Sequence, residues 1–413
     1  MKATLAALAF LAVAACTGGQ GGQDAGTPHV YATALPDGGT ATWWRDVAPL
    51  AQKHCQGCHN AGSIAPFSVE TFQGVKGWHT AIGNAVSEQR MPPWMPSAAC
   101  GQKYRDDRRM SFEEADVFTA WAAGGGLEGD AKDAPPAYVP QVGLDWTDLT
   151  IQPKAAYTPN NTRPDDYHCF LIDPNVTQTK DVIGFEVVPG VRAEVHHVLL
   201  YAVDRADAQK QDDAEPGEGW TCFGGPGSNN PILIGGWVPG TAAVRYPTGV
   251  GIPLPAGKVF AMQIHYNTQM VREPDLTQVK LQYAKGSVTQ ALLIPLADPF
   301  FSVPPHAMDF TPAYHPVSTP NQVGADLRAW GVFPHMHTKG KRITVTGPEG
   351  CMVDIPRWDF QWQQQYFFDQ PRRIKKGEAV KLGCTWDNPG DKPVGWGEGT
   401  ADEMCLAYLL LSL

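Results

Sequence analysis

From about Trp146 to Leu413 the chain is a succession of short apolar runs broken by proline and glycine, and no 3.6-residue repeat lasts through it. The runs "DVIGFEVVPG", "HHVLLYAV", "KVFAMQIHYN", "KRITVTGPEG" and "EMCLAYLLLSL" set β-branched and aromatic residues between turn formers. That pattern favours β-structure over a helical bundle and predicts antiparallel sheets joined by many turns. The 43 glycines and 36 prolines suit such turns, and charged residues are only 18% of the chain. The stretch is too long for one sandwich of roughly 100 residues. Two tandem antiparallel β-sandwiches of jelly-roll-like type are therefore expected, at 147–295 and 296–413, with the join in the proline-rich stretch near 293–320.

A different texture precedes them. Residues 42–125 have helical character, and the last helix is clearly signalled in "SFEEADVFTAWAAGGG". Ser111 is its N-cap, Glu114 follows three residues later, and glycines end it. Residues 17–41 are glycine-rich and polar and read as a flexible tether, and 126–146 read as a second linker. The first 16 residues, "MKATLAALAFLAVAAC", hold one lysine, a short apolar run and Val-Ala-Ala-Cys. They are too short to span a membrane as a helix and form a targeting segment. The segment resembles a bacterial lipoprotein signal with Cys16 as the lipidated residue; the alternative is an ordinary secretory signal. Both imply export, where disulfides are permitted. Thr17 follows Cys16, with no acidic residue there, which leans towards the outer membrane and a lipid anchor on the cell envelope. The net charge of −10 without a basic stripe argues against nucleic acid as a partner.

"HCQGCHN" contains Cys55-x-x-Cys58-His59. In an exported chain this is the attachment pattern for a covalent c-type haem, with His59 as the proximal iron ligand. The alternative is a redox or disulfide-forming CxxC pair. The sixth ligand is expected to be a Met thioether; "EQRMPPW" offers Met91, with Met95 and Met110 as rivals. A His/Met haem transfers electrons rather than activating oxygen.

The β-rich region concentrates histidines. His196 and His197 are adjacent in "EVHHVLLY", His265 lies in "QIHYN", and His335 and His337 lie in "FPHMHTK". In a strand, His335 and His337 point to one face and Met336 to the other. Taken alone, each histidine is more often structural than a metal ligand. Finally "GTADEMCLAY" places Met404 before Cys405.

The order His-His, Gln-x-His-Tyr, His-x-His and Asp-Glu-Met-Cys resembles the copper type II, ascorbate-dependent monooxygenases. That family includes the peptidylglycine-hydroxylating and dopamine β-monooxygenases. The resemblance covers about 147–413 and extends to "DDYHCFLI", "GWTCFGG", "RYPTGVGIPLPAG" and "LGCTWDN". It implies two copper ions. His196, His197 and His265 would hold the electron-storing copper. His335, His337 and Met404 would hold the copper that binds O₂ and faces substrate. Imidazole suits both copper states, and a thioether favours Cu(I). A copper shared by the neighbours His196 and His197 needs a local distortion such as a β-bulge. The resemblance also nominates Tyr408 and Gln263 as catalytic residues and implies disulfides Cys169–Cys222 and Cys384–Cys405. Of the nine cysteines, Cys100 and Cys351 are left open, either paired across domains or free.

In the peptide-hydroxylating relatives an Arg before the His-x-His pair and an Asn after the Met grip a substrate carboxylate, helped by a Tyr. Here those positions are Phe333, Leu406 and Tyr408. An apolar wall would leave a carboxylate unpaired, so a neutral or hydrophobic small substrate is expected in place of a peptide carboxylate. The resemblance implies a C–H hydroxylating oxidoreductase using O₂. Its electrons would come from ascorbate or a redox protein, and the fused haem suggests a route through it. The rivals are a non-catalytic copper and haem electron carrier, or a copper-binding surface lipoprotein.

Overall fold

The computed structural model describes residues 29–61, 65–137, 143–162, 164–238, 241, 243–269, 271–318 and 323–413. Cys16 and the targeting segment lie outside the described residues. Among those described, no helix is long and apolar enough to cross a membrane.

The fold is mainly β, as its turn-rich sequence predicts. Two sheets form a first body. One orders Leu149–Ile151, Gln278–Tyr283, Lys180–Val188, Val250–Leu254 and Thr289–Gln290, with Val244–Arg245 beside Lys180–Val188. The other orders Trp220–Thr221, Asp165–Ile172, Val259–Asn267, Val195–Val203 and Ile232–Trp237. The central strand Val259–Asn267 is buried along all but its last residue. Its run Val-Phe-Ala-Met-Gln-Ile has apolar residues on both faces, as a strand covered on both sides requires. Its apolar side chains join a core that also takes in Leu293, Phe333, Phe367 and Leu410 of the following body. Each fully buried side chain of this size contributes roughly 1.5–3 kcal/mol.

The second body repeats the plan. One sheet orders Leu292–Ala297, Leu406–Ser412, Leu327–His335 and Tyr366–Ile374. The facing sheet orders Ala307–Phe310, Lys381–Asn388, Gly340–Gly347 and Gly350–Ile355, with Val317–Ser318 beside Lys381–Asn388. Leu292–Ala297 pairs along its length with the C-terminal strand, so the second body starts a few residues before the expected boundary.

The helical block holds Ala48–His54, Phe72–Val75, His79–Ser87 and Phe112–Ala123. Ser111 and Glu114 form the expected capping box. Trp43, Phe118 and Trp121 centre its core. Parts of both expected linkers pack onto this block. His29 and the Ala32 N–H bond Asp116, each at 2.9 Å, and the Leu127 carbonyl accepts from Trp43 N–H at 2.8 Å and from the Trp121 indole at 2.9 Å. Glycine-rich composition hid these polar contacts, which rest on backbone groups and one acid.

The block is also stitched to the second body. Cys100 and Cys351, left open by sequence, are bonded across 251 residues. Tyr104 donates its hydroxyl to Met352 O at 2.9 Å, Ser97 N–H donates to Asp354 O at 2.7 Å, and Arg105 N–H donates to Phe367 O at 2.9 Å.

Candidate metal centres

The first cluster sits on two neighbouring strands. His265 lies on Val259–Asn267, and His196 and His197 lie on Val195–Val203. The register of this pair shifts between Val195 and His197. That bulge gives His196 and His197 a common side, which a regular strand denies to neighbours. Nδ1 of His197 lies 3.4 Å from Nδ1 of His196 and 3.2 Å from Nδ1 of His265. Two nitrogens about 2.0 Å from one ion at a tetrahedral angle stand roughly 3.3 Å apart, so the spacing suits a shared metal.

The tautomers agree. His265 Nε2 lies 2.9 Å from Asp165 Oδ1. A carboxylate only accepts, so Nε2 carries the proton and Nδ1 keeps its lone pair. Thr400 donates its hydroxyl to the same Asp165 oxygen at 3.1 Å, and Tyr167 stacks on the His265 ring at 4.1 Å. Burial, aided by the neighbouring His265, lowers His196 to about 4 and holds His197 well below the ordinary histidine value. Both rings stay neutral, the form that binds metal.

The second cluster forms where Leu327–His335 ends. His335 is the last residue of that strand, and His337 lies in the connection to Gly340–Gly347. Their rings are 5.1 Å apart. Met336 between them is fully buried in the core of the second body. Met404 precedes the final strand rather than lying on it. Gln363 Nε2 donates to Phe360 O, which turns Gln363 Oε1 towards His335 Nδ1 at 2.5 Å. His337 Nδ1 donates to Asp402 O at 3.1 Å. Both histidines therefore present Nε2 outward. Burial and the adjacent His337 lower His335 to about 3.

Glu403 organises this corner. Its buried carboxylate accepts from the backbone N–H groups of His337 at 3.0 Å, Lys339 at 2.6 Å and Met404 at 3.3 Å, and from the Trp386 indole at 3.1 Å. The Cys384–Cys405 bond ties the same segment to the facing sheet. Burial raises the Glu403 carboxyl above its ordinary value despite these bonds.

One cavity of about 350 Å³ unites the clusters. His197, His335, His337 and Met404 line it, together with Phe333, Leu406 and Tyr408, the residues sequence assigned to the substrate wall. Phe360 stacks on His196 at 5.2 Å and meets His337 edge-on at 6.0 Å, so one ring touches both clusters. Gln263 also lines the cavity, but its amide nitrogen donates to Cys222 O at 2.7 Å, beside the Cys169–Cys222 bond. That anchors a loop rather than leaving the amide free for a reactant. Gln363 and Glu398, which also shape the site, carried no sequence signal, and Asp165 stood inside the quoted "DDYHCFLI" without an assigned role. Glu403 stood inside the quoted Asp-Glu-Met-Cys motif without an assigned role.

In the helical block, Cys55, Cys58 and His59 follow Ala48–His54 as a continuing turn, with Cys58 N–H and His59 N–H both donating to Cys55 O. Cys55 and Cys58 are the free cysteines among the described residues. His59 Nδ1 donates to Phe67 O at 3.3 Å, which leaves Nε2 for a ligand. Two thiols not bonded to each other, beside an imidazole whose Nδ1 is engaged, are the donor set that a covalent haem attachment would use. Met91, Met95 and Met110 line a groove between this block and the loop 356–362. Met95 sulfur accepts from Asp359 N–H at 3.2 Å, and Met110 is buried in the helical core.

Residues 292–411 match the family model of the copper type II ascorbate-dependent monooxygenase, C-terminal domain. The match spans the whole second cluster. Among solved structures, a peptide-N(4)-(N-acetyl-β-D-glucosaminyl)asparagine amidase is 10% identical, with 64% of this chain and 95% of that chain covered at a TM-score of 0.28. An infectious bursal disease virus Gt strain structure is 9% identical, with 66% and 73% covered at a TM-score of 0.14. Neither likeness is close enough to carry an argument.

Proposed function

We propose that this chain is a copper-dependent monooxygenase that hydroxylates a C–H bond of a small substrate with an apolar or aromatic body. The observation that carries the reading is the convergence of two ligand clusters on one cavity whose wall is Phe333, Leu406 and Tyr408. Substrate, O₂, two electrons and two protons would yield the alcohol and water. His196, His197 and His265 would hold one copper, and His335, His337 and Met404 a second. Copper bound there would supply one-electron redox chemistry and oxygen activation. The protein's own part is to keep the imidazoles neutral by burial, fix their tautomers through Asp165, Gln363 and Asp402, and exclude water with aromatic walls.

Ascorbate, named in the matched family's description, is one candidate source of electrons. Cys55, Cys58, His59 and Met91 would hold a covalent haem c, which supplies electron transfer. The stitched interface would then give the haem block a fixed station beside the second body. The three disulfides support an exported protein, and Cys16 would anchor it to the cell envelope by lipid.

Metal analysis of a soluble form beginning after Cys16, matured with haem and copper, tests the reading. Two coppers per iron and substrate-stimulated, ascorbate-dependent O₂ uptake are expected. Iron without stoichiometric copper overturns it. Two coppers with no substrate-responsive O₂ uptake would leave an electron carrier.

A further inference from the structure

Phe360, which meets both clusters, and Gln363, which bonds His335, belong to the connection 356–365 between the strands Gly350–Ile355 and Tyr366–Ile374. Apart from one short helical turn at Phe360–Trp362 the connection has no regular structure, so bonds to other parts of the chain must fix it. Three come from the helical block. Asp359 N–H donates to the Met95 sulfur at 3.2 Å, Gln364 Nε2 donates to Pro93 O at 3.0 Å, and the Arg357 guanidinium reaches Glu88 O at 3.4 Å. The first two bracket Phe360 and Gln363. On the other side the Trp358 indole donates to His337 O at 3.1 Å, and Gln365 Nε2 donates to Gly236 O of the first body at 2.8 Å. The connection is a strap, pinned to the block along one side and meeting ligand residues along the other.

On the two-copper reading above, we infer that the helical block is a positioning device for the copper ligands and acts through this strap. Met95 holds the backbone at Asp359, and Pro93 holds the side chain of Gln364. Between these pins the Gln363 amide oxygen is set against His335 Nδ1, and the Phe360 ring is set against His196 and His337. A ligand ring whose far nitrogen is bonded and whose face is packed is oriented before the metal arrives, and that preorganisation raises affinity. Gln364 is then a positioning residue, since its amide bonds Pro93 O rather than a ligand and acts through the neighbouring Gln363. Tight copper binding by His335, His337 and Met404 therefore requires a seated block, whatever cofactor the block itself carries.

Releasing the pins in the full chain tests the inference. The variants are Gln364→Leu, alone and with Met95→Leu, and Tyr104→Phe, which removes a bond of the same interface away from the strap. Chelator competition should show copper affinity at the second cluster falling about tenfold in the double variant, with a smaller loss at the first cluster and none in Tyr104→Phe. In the metal-free double variant, diethyl pyrocarbonate should acylate His335 and His337 faster than in wild type. Wild-type copper affinity in the double variant overturns the inference, as does an equal loss in Tyr104→Phe. Where Met95→Leu disturbs folding or the haem spectrum, Gln364→Leu decides alone. Acylation needs no metal, so a protein whose acylation follows the pins but which takes no copper at His335 and His337 would sink the two-copper reading and leave the strap standing.

Discussion

The three-histidine cluster and the His335–His337–Met404 cluster open onto the same cavity but are built differently. In the first, a carboxylate touches a ligand ring directly, through His265 and Asp165. In the second, the ligand rings lean on neutral acceptors, Gln363 Oε1 and Asp402 O, while the Glu403 carboxylate grips backbone N–H groups. A charge on a ligand's far nitrogen raises its basicity and favours the more charged metal state. Neutral supports and a thioether favour Cu(I). The comparison teaches that one carboxylate bonds a histidine ring directly and, with copper bound, would tune its basicity, while the other holds the backbone that positions His337 and Met404.

The sharpest way to break that contrast is to remove the positioning carboxylate. Glu403→Leu would strand four buried donors, each costing about 1–3 kcal/mol, so a loss of at least about 4 kcal/mol is expected. Urea unfolding with metal analysis checks it. Copper capacity should fall to one ion per chain, because Met404 and His337 lose their common anchor. Glu403→Gln, which keeps the shape and one acceptor, should recover part of both. A Glu403→Leu protein that still takes two coppers would show that the strand pairing alone positions the ligands.

The sequence legibly carried the β architecture and the histidines that the fold gathers into clusters, since both rest on local pattern: runs and turns for the strands, and ordered motifs for the histidines. It carried less of what supports them. Asp165 sits a hundred residues from His265, and an acid at the start of a strand carries no mark of its partner. The bulge at His196 could be required but not shown, because register depends on the neighbouring strand. Cys100 and Cys351 could not be paired, since a bond across 251 residues depends on how the block docks. Part of the docking rests on backbone edges, Ser97 to Asp354 and Arg105 to Phe367, which leave no side-chain signature.

Asp165→Asn tests the other side of the contrast with a smaller effect. The amide keeps the shape and removes the charge behind His265. Copper affinity at the first cluster should fall about 10- to 100-fold, with the second unchanged. Chelator competition that resolves the two ions measures it. An equal loss at both clusters would mean that Asp165 acts through Thr400 and its loop rather than on the ring, since the Thr400 hydroxyl also meets Asp165.

The smallest expected effect concerns acid. Asp298 and His315 are buried as a pair at 2.6 Å behind the second cluster. Asp298 N–H donates to Cys405 O, and His315 Nδ1 accepts from Cys384 N–H, so the pair backs the disulfide next to Met404. Burial pushes the Asp298 carboxyl up, but bonds from His315, Phe300 N–H and the Tyr314 hydroxyl outweigh it and hold the group below its ordinary 3.8. A depressed folded value means stability present above the unfolded value and lost as pH falls through the folded one. Asp298→Asn should therefore cost about 1–2 kcal/mol at neutral pH, and the gap to wild type should close as pH drops below 3.8. Thermal unfolding of both proteins from pH 7 to pH 3 measures it. A gap that persists unchanged in acid would mean that Asp298 serves only as a neutral acceptor. The second cluster's support would then be geometric throughout, and the contrast with the charge-tuned first cluster would be sharper still.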